Sequence, residues 1–138
     1  MKILKKTSEL EQNLVSIKDR GKSIGLVLTM GNLHDGHLSL IREAQLHNEF
    51  VICSIFINPT QFNNTNDFLN YPKTIKGDIK ILQDCRCDIL YCPEDDDLYK
   101  ANEKPVEYRF NGVELYLEGK YRPGHFNAVA TIVEKLLN

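Results

Sequence analysis

Apolar positions along this chain follow two different patterns. Residues 24–28 (Ile-Gly-Leu-Val-Leu) and 51–57 (Val-Ile-Cys-Ser-Ile-Phe-Ile) are almost unbroken apolar runs. Runs without alternation predict strands covered on both faces, as in a parallel sheet. Elsewhere apolar residues recur at helical spacing. Leu10, Leu14 and Ile17, flanked by Val15, predict a helix over about 9–20, with Ser8 and Glu11 as a capping-box pair and Gly21 as its stop. Leu38, Leu40, Ile41, Ala44 and Leu46 predict a second helix ending near His47. Ile75, Ile79 and Leu82 mark a third, with Pro72 suited to its start. Phe126, Val129, Ile132, Val133 and Leu136 mark a last helix over 125–137. Residues 88–92 read as a third strand closed by Pro93, and 67–71 as one helical turn. Val106, Tyr108 and Phe110 alternate with polar residues and predict a half-exposed strand; 112–118 reads as a short helix and 119–124 as a loop.

The order helix-strand-helix-strand-helix-strand predicts an α/β fold: a parallel sheet with flanking helices and right-handed crossovers. Ligands of such sheets gather at the carboxyl ends of the strands. Three polar loops leave those ends, namely 29–37, 58–66 and the segment after Cys92, and one pocket could unite the first two. A length of 138 residues suits one domain with its own core.

Composition narrows the class of partner. Seventeen basic against nineteen acidic residues leave a net charge of -2, no electrostatic footprint for nucleic acid or an acidic membrane surface. No apolar run approaches the roughly 20 residues of a membrane span. The basic amino-terminal stretch lacks the apolar segment of a signal peptide, so a cytoplasmic location is expected. Cys85, Cys87 and Cys92 miss the usual spacing of zinc pairs, and with Cys53 they read as ordinary reduced thiols. The acids at 94–97 read as a solvated loop or a helix start.

The sharpest chemical signal is 29–37, Thr-Met-Gly-Asn-Leu-His-Asp-Gly-His, a glycine-bearing turn between a buried strand and a helix. A new helix offers unpaired N–H groups and the positive end of its dipole to an anion. His34 and His37 are three apart and share a face of the first turn, suited to phosphate oxygens. Two surface histidines is the plain reading of the same string, and zinc lacks an evident third ligand. Asn58 and Gln61, after the strongest strand, offer amide groups to a small polar substrate, or form a solvated turn. Arg122 and His125 open the last helix, where Arg122 could pair with a phosphate or carboxylate. Asp78 could bind magnesium, or stand as a solvated helix charge.

Taken together, residues 29–37 resemble the nucleotide-binding signature of the pantothenate synthetase (pantoate–beta-alanine ligase) family. Residues 54–62 (Ser-Ile-Phe-Ile-Asn-Pro-Thr-Gln-Phe), 71–74 (Tyr-Pro-Lys-Thr) and 117–126 (Leu-Glu-Gly-Lys-Tyr-Arg-Pro-Gly-His-Phe) are similar to three further motifs, in the same order. The His-x-Gly-His string alone is shared with other adenylyl-transferring enzymes and class I aminoacyl-tRNA synthetases. A compact adenylyltransferase or a non-catalytic nucleotide-binding module are the competing readings.

The resemblance implies a Rossmann-like, amino-terminal ATP- and pantoate-binding domain over 1–138, of a ligase that joins pantoate to beta-alanine through a pantoyl adenylate. Met30, Gly31, Asn32, Leu33, His34, Asp35, Gly36 and His37 would hold ATP, with His37 the proton donor. Gln61 would bind pantoate with Asn58 close by; Ile132 and Val133 would line the pocket for its methyl groups, and Arg122 and His125 would close over it. Magnesium (Mg2+) would accompany the triphosphate, with Asp78 a ligand, and a homodimer is implied. Leu28 stands where the family usually has proline, Lys73 where it has arginine, and Gly77 where an acid is common. The family's later Gly-Glu-Lys-Asp and Ser-Ser-Arg motifs are not in this sequence. Little ligase turnover is therefore expected of these 138 residues alone.

Overall fold

A computed structural model describes residues 1–99, 106–116 and 118–138. Its strands are β1 (Lys2–Leu4), β2 (Ile24–Thr29), β3 (Phe50–Ile55) and β4 (Ile89–Tyr91). Its helices are α1 (Thr7–Lys18), α2 (Asp35–His47), α3 (Thr65–Asn70), α4 (Ile75–Asp84), α5 (Asp95–Leu98), α6 (Glu118–Tyr121) and α7 (His125–Leu137). The chain packs as two compact units, Met1–Ile57 with Pro72–Leu98, and Asn58–Tyr71 with Tyr99–Asn138.

The first unit holds the four-stranded sheet, in the order β1-β4-β3-β2, every neighbouring pair parallel. The apolar runs become β2 and β3, which pair along their length, Ile24 beside Phe50 through Thr29 beside Ile55. β1 is an addition to the sequence reading. It is three residues long and starts with a lysine, too short to carry a pattern, yet it pairs with β4. Ile41, Leu82, Leu90 and Cys53 have no exposed surface and form the centre of the core. Burial pushes the Cys53 thiol up to about 12 and those of Cys87 and Cys92 up to about 11, so all three stay protonated at neutral pH.

Helix ends differ from the sequence reading by a few residues, for identifiable reasons. α1 starts at Thr7, where the Glu9 carboxylate accepts the Lys5 and Lys6 N–H groups, so Glu9 takes the part expected of Glu11. The N–H and hydroxyl of Thr7 donate to Asp97 on α5, so one member of the acidic run caps a helix distant in sequence. Gly21, at φ +67°, ends α1 as expected. α4 begins at Ile75 behind Thr74, leaving Pro72 outside it.

The second unit is built around α7, which packs on a one-turn 3-10 helix, Pro59–Gln61. Residues 106–110 are not the expected strand. Their backbone bonds to a side chain instead: Tyr108 N–H donates to Asn127 Oδ1 (2.8 Å), and Asn127 Nδ2 donates to the Val106 carbonyl (2.8 Å). The helix expected over 112–118 is a 3-10 turn, Val113–Leu115, with Leu117 outside the described residues. α6 begins at Glu118, the last residue of that expected helix, and runs into the expected loop 119–124. Among the described residues no helix is long and apolar enough to cross a membrane.

Candidate functional site

The glycine loop leaves the carboxyl end of β2 and is fixed by groups on three elements of the first unit. Thr29 Oγ1 donates to the Ser54 carbonyl (2.8 Å) and accepts from Gly31 N–H (3.1 Å), tying the loop to β3. Gly31 and Asn32 then adopt left-handed backbone, φ +82° and +52°. A side chain at Gly31 would carry that strain and set its Cβ 3.2 Å from both Asp78 Oδ2 and Ile55 Cγ2, so glycine is the residue that fits. Leu33 turns into the core and Met30 is half-buried, while Asn32 is exposed.

His34 is the residue that caps α2. Its Nδ1 accepts from Gly36 N–H (3.1 Å), and its own N–H donates to His37 Nδ1 (3.4 Å). The two rings lie 4.1 Å apart, centroid to centroid. A Cβ on Gly36 would sit 3.0 Å from the His34 ring and crowd this reciprocal cap. Both imidazoles accept at Nδ1, so each neutral ring carries its proton on Nε2. The sequence expectation of two imidazoles on one helical turn thus becomes two Nε2–H donors beside the first turn of α2, with Asp35 exposed between them.

Partial burial, then repulsion from His34, holds the His37 pKa below its ordinary 6.5, against an opposing pull from Asp78. The sign follows from linkage: the unfolded chain takes up this proton first as pH falls, so the folded state loses stability from about pH 6.5 downward and is unaffected above it. Urea unfolding from pH 7.5 to 5 is expected to give a steeper acid loss for the wild type than for His37→Gln, with the two slopes meeting above pH 7.

Asp78, the residue expected as a magnesium ligand, is held inside the hydrogen-bond network of the loop. It is 2% exposed, and both carboxylate oxygens are occupied: Oδ1 by Leu33 N–H (2.9 Å), Oδ2 by Asn32 N–H (3.1 Å) and by Thr74 Oγ1 (3.0 Å). Among the described residues no group of three metal-ligating side chains comes together.

The second unit gathers Asn58, Gln61 and His125. Asn58 has no exposed surface. Its Oδ1 accepts from Thr60 Oγ1 (2.9 Å), Thr60 N–H (3.3 Å) and Tyr99 OH (2.8 Å), and its Nδ2 donates to the Ala128 carbonyl (3.3 Å). These bonds hold the Pro59–Gln61 turn against α7. His125 Nδ1 donates to the Gln61 carbonyl (3.3 Å), so its neutral Nε2 is an acceptor, the reverse of His34 and His37. Ile132, one turn beyond Ala128 on α7, is buried and Val133 half-buried. Arg122 is exposed, with Nε 3.3 Å from Glu118. Tyr99 carries no sequence signal for its role, which emerges from packing across 41 residues, whereas Thr74 stands only four residues before the Asp78 it holds.

Comparison with known proteins matches this geometry to one family. A model of the pantoate-beta-alanine ligase family covers residues 2–138. The pantothenate synthetase of Azobacteroides pseudotrichonymphae is 42% identical over 137 residues, 99% of this chain and 49% of that protein. The pantoate–beta-alanine ligase of Schizosaccharomyces pombe is 42% identical over 139 residues, again 49% of its length. A crystal structure of the Francisella tularensis ligase, complexed with beta-gamma ATP and beta-alanine, superposes with a TM-score of 0.86 at 42% identity, covering 99% of this chain and 52% of that one. The chain spans about half the length of the relatives it matches. With the family model matching all but the first residue and the glycine loop built as the sequence predicts, the chain belongs to the pantoate-beta-alanine ligase family.

Proposed function

We propose that this chain supplies the ATP-binding part, and residues for pantoate, of a ligase that forms pantothenate from pantoate and beta-alanine. The observation that carries the reading is the pair of Nε2–H donors on His34 and His37 at the start of α2, joined by two positive-φ residues to the end of β2. Support comes from the Francisella tularensis relative, solved with an ATP analogue and beta-alanine.

In this reaction a pantoate carboxylate oxygen attacks the α-phosphorus of ATP and pyrophosphate leaves, giving pantoyl adenylate. The amine of beta-alanine then attacks the acyl carbon and AMP leaves. His34 and His37 would donate from Nε2 to phosphate oxygens as charge shifts to the leaving pyrophosphate, with His37 the proton donor. Residues 30–37 would cradle the nucleotide through the first turn of α2. Gln61, the acceptor Nε2 of His125, and Ile132 with Val133 would bind pantoate, polar groups to its hydroxyls and apolar ones to its methyls. Arg122, held loosely by Glu118, would be free to meet an anion. Magnesium would arrive with the triphosphate.

A cytoplasmic location is proposed with this activity, supported by four free cysteines. A homodimer is proposed too; Val113, Leu115, Tyr116 and Tyr121, exposed in the second unit, support an apolar contact surface, and sedimentation of the chain tests it.

The deciding experiment incubates the protein specified by the whole encoding reading frame with ATP, pantoate and beta-alanine. Formation of AMP and pantothenate in equal amounts is expected. Nucleotide binding without AMP formation would identify a binding module instead.

A further inference from the structure

We propose that Asp78 is a positioning residue, an internal anion that fills the concavity of the glycine loop and thereby fixes where His34 and His37 stand. Successive backbone N–H groups in a turn can converge on one point and form an anion-binding concavity, or nest. Here Gly31 and Asn32 have positive φ, and the N–H groups of Asn32 and Leu33 converge on the two oxygens of one carboxylate. That carboxylate comes from α4, 46 and 45 residues away in sequence. It is nine-tenths and more buried, and Thr74 Oγ1, from the residue before α4, holds Oδ2 in place. The concavity that would otherwise take a ligand phosphate is therefore already filled.

Two consequences follow. Nucleotide phosphates are left to the Nε2–H groups of His34 and His37 and to the first turn of α2, outside the nest. The position of those donors depends on Asp78, because Leu33, which Asp78 grips, is followed directly by His34, the cap of α2. The role in nucleotide binding rests on the proposed ATP reading; the clamp itself does not.

The test uses the full chain with Asp78→Asn, Asp78→Ala and Thr74→Val, each checked for fold by circular dichroism. Backbone amide exchange is read at Asn32 and Leu33, and ATP affinity is read with and without Mg2+. A carboxamide keeps one acceptor and places N–H groups at the other position. Asp78→Asn is therefore expected to preserve the protection of one of the two amides and lower that of the other about tenfold. Asp78→Ala is expected to expose both. Thr74→Val leaves the carboxylate in place and is expected to raise exchange at Asn32 only a few-fold, which keeps the idea testable should the Asp78 variants unfold. ATP affinity is expected to fall about tenfold in Asp78→Asn, equally with and without Mg2+.

Unchanged exchange at both amides in Asp78→Asn would overturn the clamp. Altered exchange with unaltered ATP affinity would overturn its positioning role. A raised Mg2+ requirement with wild-type exchange would make Asp78 a metal ligand instead. Failure of the wild type itself to bind ATP would count against the ligase reading while the exchange data still decided the clamp.

Discussion

His37→Ala, placed in the protein specified by the whole reading frame, is expected to lower adenylate formation by about 10²–10³-fold, read as pantoate-dependent ATP–pyrophosphate exchange. Removing one preorganised donor aimed at developing charge costs about that much in a site where water cannot substitute for it. The fold should survive. The ring is only half-buried, and what the fold loses is the Nδ1 acceptor for His34 N–H, one arm of a helix cap, about 1 kcal/mol. His37→Gln is expected to fall between wild type and alanine, because its amide still donates but not from the Nε2 position. A wild-type exchange rate in His37→Ala would remove this histidine from the chemistry.

The second large effect lies in the core. Leu82→Ala is expected to lower the unfolding free energy by about 2–5 kcal/mol, read as a fall in the urea midpoint at unchanged slope. Leu82 sits on α4 with no exposed surface, in the cluster that also holds Ile41 on α2, Val51 and Cys53 on β3, and Leu90 on β4. Three of these elements are sheet or loop-bearing helix, so the cavity has little freedom to collapse. For a domain whose whole stability is about 5–15 kcal/mol, that is a large share. The same helix carries Asp78 one turn earlier, so a looser α4 should also weaken nucleotide binding. A drop below 1 kcal/mol would mean the helix is not part of the cooperative core.

What the sequence made legible was what is local. β2 and β3 are runs of apolar residues, and their pairing needs no information beyond the run. The histidine pair is three residues apart, the spacing of a helix cap and its partner on the first turn, so its geometry is local. β1 escaped because three residues carry no period, and its place depends on β4, far along the chain. The alternation of Val106, Tyr108 and Phe110 misled because the Asn127 carboxamide does for that segment what a neighbouring strand would have done. Asp78 read as a charge facing outward because nothing at its position signals two N–H groups some 45 residues earlier. The four bonds that Asn58 makes within the fold are a matter of packing that spacing does not encode.

The sheet order also fixes a sequence of events in time. Lys2 pairs with Ile89, so β1 waits for a neighbour made more than eighty residues later, on the order of the whole sheet's span. β2 and β3 can join as soon as both exist, but β1 has no neighbour until β4 has been made. Until then the amino-terminal strand stays outside the sheet, and pairing over such separation is slow to close. An amino-terminal fusion therefore meets this protein at its latest-forming edge: its influence falls on how fast the sheet is completed rather than on the loop that holds His34 and His37.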